Sequence, residues 1–252
     1  TFGGTLLGSG FTYTLNVPTD IPADGLPHFI YITAKTTIPT CESTPIGPIQ
    51  ITVNALPDAG TQSDVTVCDY STTSINLYNL LTGEDSGGTW SRVSGTGGTF
   101  TAATGTYVPA SGATTSIFRY IVTGTAPCPN AMADVTVYIN KLPVAGIPSD
   151  ITICENDPTL YNLYALLTGE DSGGTWSRMS GSGGVFNSIG TYQSAIGATT
   201  SIFRYTVLGI APCPNVSSDV TIHINPLPVV NAGHDVTICR EADLTLSALS
   251  AS

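Results

Sequence analysis

The sequence predicts an all-β protein made of tandem immunoglobulin-like β-sandwich modules set in an extended rod. Three observations predict it. The chain is poor in charge, with 10% Asp, Glu, Lys and Arg, and rich in Thr, Ser, Gly, Val and Ile. β-Branched residues favour strands, while Gly, Pro and Asn punctuate turns. A long segment also occurs twice. Trp90 matches Trp176 and Cys68 matches Cys154 at an offset of 86; Tyr107 matches Tyr192, Phe118 matches Phe203 and Cys128 matches Cys213 at an offset of 85. Finally, each copy holds seven short apolar segments divided by turn signals, the pattern of a small sandwich.

In the first copy, strands are expected at about 64–68, 74–80, 88–93, 98–101, 105–109, 115–123 and 133–140. The turns between them carry GEDSGG, SGTGG, AATG, PASGA and TAPCPN. The stretch LYNLLTG is ambiguous, since so short an apolar run also suits a helical turn. In SIFRYIV, alternation places Phe118, Tyr120 and Val122 on one face, and this aromatic face is expected inward with Trp90 packed against it. Arg119 and Arg204 then point outward, toward Glu84 and Asp85 or Glu170 and Asp171. The residue lost between the copies falls where TFTAATGTY becomes VFNSIGTY, in a loop that tolerates it.

Pro-containing joints recur as NALPDAG, NKLPVAG and NPLPVVNAG. Each follows one alternating strand and precedes another. The expected organisation is therefore the C-terminal part of a preceding module at 1–56, complete modules at 57–142 and 143–227, and the N-terminal part of a following module at 228–252. The chain reads as a stretch from the middle of a longer array. A period of this length suits an independent sandwich rather than a solenoid repeat.

The formal net charge is −11. Nucleic acid is not expected as a partner, because binding phosphates needs a basic footprint. Electrostatic docking on anionic lipid is disfavoured for the same reason. No run of about 18 apolar residues occurs, so membrane insertion is not expected.

The repeated stretch LLTGEDSGGTWSR contains DSGG, which resembles the nucleophile segment of trypsin-like proteases. Glu84 interrupts the register between Gly83 and Asp85, and the first module has no histidine. A serine nucleophile needs a base and an orienting group. No catalytic residue is therefore expected, and the motif reads as a glycine-driven turn into the Trp strand. Glu84, Asp85, Glu170 and Asp171 are weak Ca²⁺ candidates, since hard cations take carboxylate oxygens. No other metal and no cofactor is expected.

Six cysteines stand near module starts and ends. No C-x₂-C pair points to zinc, so disulfides in an exported protein are expected. Two connectivities respect the repeat. The intra-module one joins Cys68 to Cys128 and Cys154 to Cys213. The other crosses the joints, as Cys41–Cys68, Cys128–Cys154 and Cys213–Cys239. Straight strands on either side of a joint would hold the second set too far apart, so the first is favoured. An intramolecular isopeptide bond is excluded in the second module, which has no lysine. Asn215-Val216-Ser217 fits a glycosylation acceptor, but Asn130-Ala131-Met132 at the matching place does not, and the match is read as chance. His223 reads as a surface residue of an alternating strand.

The unit STTxINLYNLLTGEDSGGTWS, with GATTSxFRYxV, TAPCPN and the LPxAG joints, resembles tandem repeats of very large surface proteins of Bacteroidetes. These include the flavobacterial gliding-motility adhesin. The resemblance covers both complete modules. It implies export by the type IX secretion system, attachment at the outer membrane surface, and partnership with the secretion and motility machinery. The expected function is thus a non-catalytic adhesin or filament stalk serving surface attachment and gliding, whose partners are neighbouring modules and a surface polysaccharide or substratum. Two alternatives are a spacer array of a secreted enzyme and carbohydrate-binding sandwich modules. The latter would use an exposed tyrosine platform, with Tyr13, Tyr70 and Tyr78 as candidates.

Overall fold

The computed structural model of the chain describes residues 20–36, 39, 41–230, 237, 239 and 240. Tyr13, His234 and most of the expected module at 228–252 lie outside these residues. The chain divides into two compact units, Thr1–Thr66 with Ser71–Ile139, and Val67–Tyr70 with Asn140–Ser252. The second unit thus takes in Val67–Tyr70 and residues 140–142, which the repeat assigns to the first copy.

An antiparallel pair opens the described chain, β1 (Pro27–Ile32) with β2 (Ile46–Thr52). The first repeat follows as β3 (Thr61–Gln62), β4 (Val65–Cys68), β5 (Ile75–Asn76), β6 (Leu81–Thr82), β7 (Thr89–Ser94), β8 (Thr99–Thr101), β9 (Thr106–Val108), β10 (Ser116–Val122) and β11 (Ala131–Asn140). The second repeat has the same set: β12 (Ile147–Pro148), β13 (Ile151–Cys154), β14 (Leu160–Asn162), β15 (Leu167–Thr168), β16 (Thr175–Ser180), β17 (Val185–Asn187), β18 (Thr191–Gln193), β19 (Ser201–Val207) and β20 (Val216–Asn225).

Each repeat builds a four-stranded sheet, in the order β4-β11-β10-β7 or β13-β20-β19-β16, and a three-stranded sheet, β5-β9-β8 or β14-β18-β17. In the second repeat β13 runs parallel to β20, while the other pairs of its four-stranded sheet are antiparallel. A first strand laid parallel to the last, on a sheet facing a smaller antiparallel one, is the immunoglobulin-like sandwich. The pairs β3–β6 and β12–β15 form separate two-stranded sheets. They escape the sequence pattern because two residues show no alternation.

Alternation determines the core. Along β10, Phe118, Tyr120 and Val122 are buried, and Ile117, Arg119 and Ile121 are half-buried. Trp90 stacks at 5.1 Å from Tyr120 and 5.6 Å from Tyr78, and Tyr107 lies 4.9 Å from Phe118 across the two sheets. Trp176, Tyr205, Tyr164, Tyr192 and Phe203 repeat this cluster. Such tilted and edge-on aromatic pairs each add about 0.5–1.5 kcal/mol beyond their buried area.

Two expectations are corrected. The strand expected over 74–80 ends early, and Leu77–Leu80 forms a single 3₁₀ turn instead. Asn76 caps it by accepting the Tyr78 N–H at 3.1 Å, which satisfies a donor the strand would have paired. The turn drives Leu77 fully into the core. Arg119 does not meet Glu84 or Asp85. It forms a bidentate pair with Asp134, both contacts at 2.7 Å, because register places the two opposite each other on β10 and β11. Arg204 and Asp219 do the same on β19 and β20.

Candidate functional site

The GEDSGG turn is a clamp on the joint. Asp58 and Asp85 exchange backbone and side-chain bonds: the Asp85 N–H donates to the Asp58 carbonyl at 2.9 Å, and the Asp58 N–H donates to Asp85 Oδ2 at 2.8 Å. In the second repeat Val144 and Asp171 make the same exchange at 2.8 Å each. The buried tyrosine of β10 or β19 closes the turn from inside. Tyr205 Oη donates to the Asp171 carbonyl at 2.8 Å and accepts the Gly174 N–H at 2.9 Å. Burial pushes the Tyr120 and Tyr205 hydroxyls above their ordinary value, so both remain protonated donors. Gly174 is required here, because a Cβ would stand 2.4 Å from the Tyr205 ring.

Ser86 and Ser172 sit exposed on these turns. Of the described histidines, His28 bonds Asp24 at 2.9 Å and His223 is exposed on β20. Among the described residues, no hydrogen bond joins either histidine to a DSGG serine. As for the Ca²⁺ candidates, the carboxylates of Asp85 and Asp171 are engaged by backbone N–H groups, and Asp171 also faces Lys141 Nζ at 3.8 Å. Among the described residues, the one trio of His, Cys, Asp or Glu ligand atoms within 4.8 Å of each other is Cys68, Asp69 and Cys213. Its two sulfurs are bonded to each other, which leaves no thiolate to bind metal.

That bond is the main correction to the cysteine assignment. Cys68 pairs with Cys213, Cα to Cα 4.9 Å, while Cys128 and Cys154 are free thiols. Neither expected connectivity contains this pairing. The reason lies in the second unit, where Asn140 gathers two segments of the chain. The Asn140 carbonyl accepts the Asp69 N–H at 2.9 Å and lies 3.2 Å from Cys213 Sγ, while its Nδ2 donates to the Ala211 carbonyl at 2.7 Å. The buried Asp69 carboxylate accepts the Leu142 N–H at 2.8 Å. One joint asparagine thus holds the strand end bearing Cys68 and the TAPCPN-type loop bearing Cys213 side by side.

The loop is internally braced by Asn215, whose Oδ1 accepts the Gly209 N–H at 2.9 Å; Asn130 does the same for Gly124 at 3.0 Å. This role explains an asparagine in both repeats with an acceptor triplet in only one. Of the tyrosines considered as a sugar platform, Tyr70 is 68% exposed, but Tyr78 is packed edge-on against Trp90 and Tyr120.

Sequence reasoning also passed over Arg92 and Arg178. Their guanidinium groups lie over the core rings, Arg92 at 4.9 Å from Tyr107 and Arg178 at 5.3 Å from Tyr192. Arg178 further donates to the Gly183 carbonyl at 2.6 Å and to Ser201 Oγ at 2.8 Å. The recurring Arg at the end of LLTGEDSGGTWSR was the available signal.

No helix among the described residues is long and apolar enough to cross a membrane. No protein-family model and no curated protein matches the sequence. Among solved structures the chain is similar to human protocadherin-24 EC1-2, at 13% identity over 68% of this chain and 98% of that one, with a TM-score of 0.39. It is also similar to Sidekick-1 immunoglobulin domains 1-4, at 14% identity over 82% and 60% with a TM-score of 0.33. Drosophila N-cadherin EC1-4 matches at 10% identity over 67% and 50% with a TM-score of 0.36. The chain thus spans about half to three-fifths of the Sidekick-1 and N-cadherin structures it matches.

Proposed function

We propose that the chain is a non-catalytic, repetitive stretch of an extracellular surface protein, an adhesin or filament stalk whose repeats space and anchor other parts of the molecule. The observation that carries this reading is the duplication of one complete sandwich, strand for strand, with a disulfide joining the first repeat's strand end to the second repeat's last loop. A disulfide of this kind fits an oxidising, extracytoplasmic setting. The clamp and the aromatic cluster recur in both copies, with no described histidine bonded to a DSGG serine, which fits a building unit rather than a reaction centre. The sequence resemblance extends the reading to attachment and gliding of a bacterial cell, with export by the type IX system and linkage to the outer surface.

Antibodies against the GEDSGG turn, applied to intact cells of the source organism, test this. Surface labelling that disappears after external protease treatment supports it, together with an open reading frame holding many further repeats. A hydrolase domain in the same reading frame, or labelling only after lysis, overturns it.

A further inference from the structure

We propose that Cys154 and Cys128 are the two open halves of the Cys68–Cys213 cross-link, so that each repeat of an array is disulfide-bonded through its first cysteine to the last cysteine of the repeat after it. The proposal rests on the array reading above. Its basis is the local frame around each sulfur.

Cys154 stands in the frame of Cys68. It ends β13, and the next residue is again an acid. The Glu155 N–H donates to the Asn225 carbonyl at 2.8 Å, as Asp69 does to Asn140, and Glu155 Oε1 accepts the Leu227 N–H at 3.0 Å, as Asp69 does for Leu142. Cys128 stands in the frame of Cys213. Its Sγ lies 3.6 Å from the Asn54 carbonyl, and Asn54 Nδ2 donates to the Ala126 carbonyl at 3.1 Å. Asn140 is fully occupied by both partners. Asn225 holds only the strand-end half, with Cys154 exposed beside it, and Asn54 holds only the loop half. Leu56, which matches Leu142 and Leu227, is 71% exposed, with no acid on its N–H among the described residues.

The missing occupants are therefore defined by chemistry. Asn225 and Cys154 take a TAPCPN-type loop from a following repeat. Asn54 and Cys128 take a Cys-acid strand end from a preceding one. Bond formation is thiol–disulfide exchange with a small disulfide such as oxidised glutathione. The two repeat thiols give up two protons and two electrons, one S–S bond forms between them, and the small disulfide leaves as two thiols.

The test lengthens the whole chain by inserting a second copy of 143–227 directly after Leu227. The chain is oxidised in a glutathione buffer and mapped by non-reducing peptide mass spectrometry. Cys154 should become linked to the last cysteine of the inserted copy and lose its reactivity toward alkylating reagent. A Cys154→Ser version should free that cysteine alone. The Cys68–Cys213 bond in the same sample reports that the sandwiches have folded. If that bond forms while Cys154 stays alkylated, or links elsewhere, the proposal is overturned. Failure of the array reading shows separately, as a reading frame without further repeats.

Discussion

The Tyr120 hydroxyl closes the turn that carries Asp85, donating to the Asp85 carbonyl at 2.8 Å and accepting the Gly88 N–H at 2.9 Å. One buried side chain thereby satisfies two backbone groups on the turn from GEDSGG into β7. Tyr120→Phe keeps the ring in the aromatic cluster and removes both bonds. It should destabilise the first repeat by about 1–3 kcal/mol, the cost of stranding buried polar groups. Urea unfolding checks this, and Tyr205→Phe should act alike on the second repeat.

The Asp171 carboxylate faces a backbone donor at Val144 rather than other acids. Asp171→Ala removes a charge-assisted bond and should lower stability by about 1.5–3 kcal/mol. Millimolar Ca²⁺ against EDTA should leave the melting temperature of the parent chain unchanged. A rise with Ca²⁺ that Asp171→Ala abolishes would restore the calcium reading.

Gly105 has φ +59°, and a Cβ there would lie 2.7 Å from Trp90 Nε1. Gly105→Ala must either push the indole or distort the turn, and overpacking of this kind costs about 1–3 kcal/mol. Trp90 is 4% exposed, so its emission should shift to the red in the variant. Gly112→Ala also has positive φ but open space around it, and it should leave the emission unchanged.

Reduction of Cys68–Cys213 should destabilise the second unit by about 2–5 kcal/mol, since the bond closes a long loop of the unfolded chain. Cys68→Ser and Cys213→Ser should each reproduce the reduced protein. Cys128→Ser should match the oxidised parent in the same denaturation experiment.

Hydrogen bonds from Arg119 and Arg204 hold the Asp134 and Asp219 carboxyls below the usual range. A depressed folded pKa adds stability that is complete above the unfolded value of about 4 and is lost as pH falls through the lowered value. The stability of the parent should therefore fall in acid below about pH 4. Asp134→Asn with Asp219→Asn should flatten that acid limb, and added salt should shrink the difference because both pairs are partly exposed.

Most of the sandwich was legible because alternation reports burial directly. Phe118, Tyr120 and Trp90 occupy the places that periodicity assigns them. The Arg119–Asp134 pair was missed because it depends on hairpin register, which the TAPCPN loop sets and residue spacing does not reveal. The disulfide was missed for a related reason. The two connectivities weighed both took the nearest cysteines along the chain, whereas the first strand of a sandwich lies parallel to its last and brings its end to the following joint. The joint asparagines Asn54, Asn140 and Asn225 were visible as a recurring feature, but their role as a meeting point emerges only when strand end and loop are placed together.

The Cys68–Cys213 bond also sets how the chain carries mechanical load. A pull applied across it passes from Cys68 straight to Cys213 through the sulfurs, so the intervening segment bears no force even when it unfolds. The two cysteines are 145 residues apart, which at about 3.4 Å per residue withholds ~500 Å of extension. Reducing agent should release that length in single-molecule stretching. The bond thus acts as a strain limiter, holding back that extension when the sandwiches yield to an applied pull.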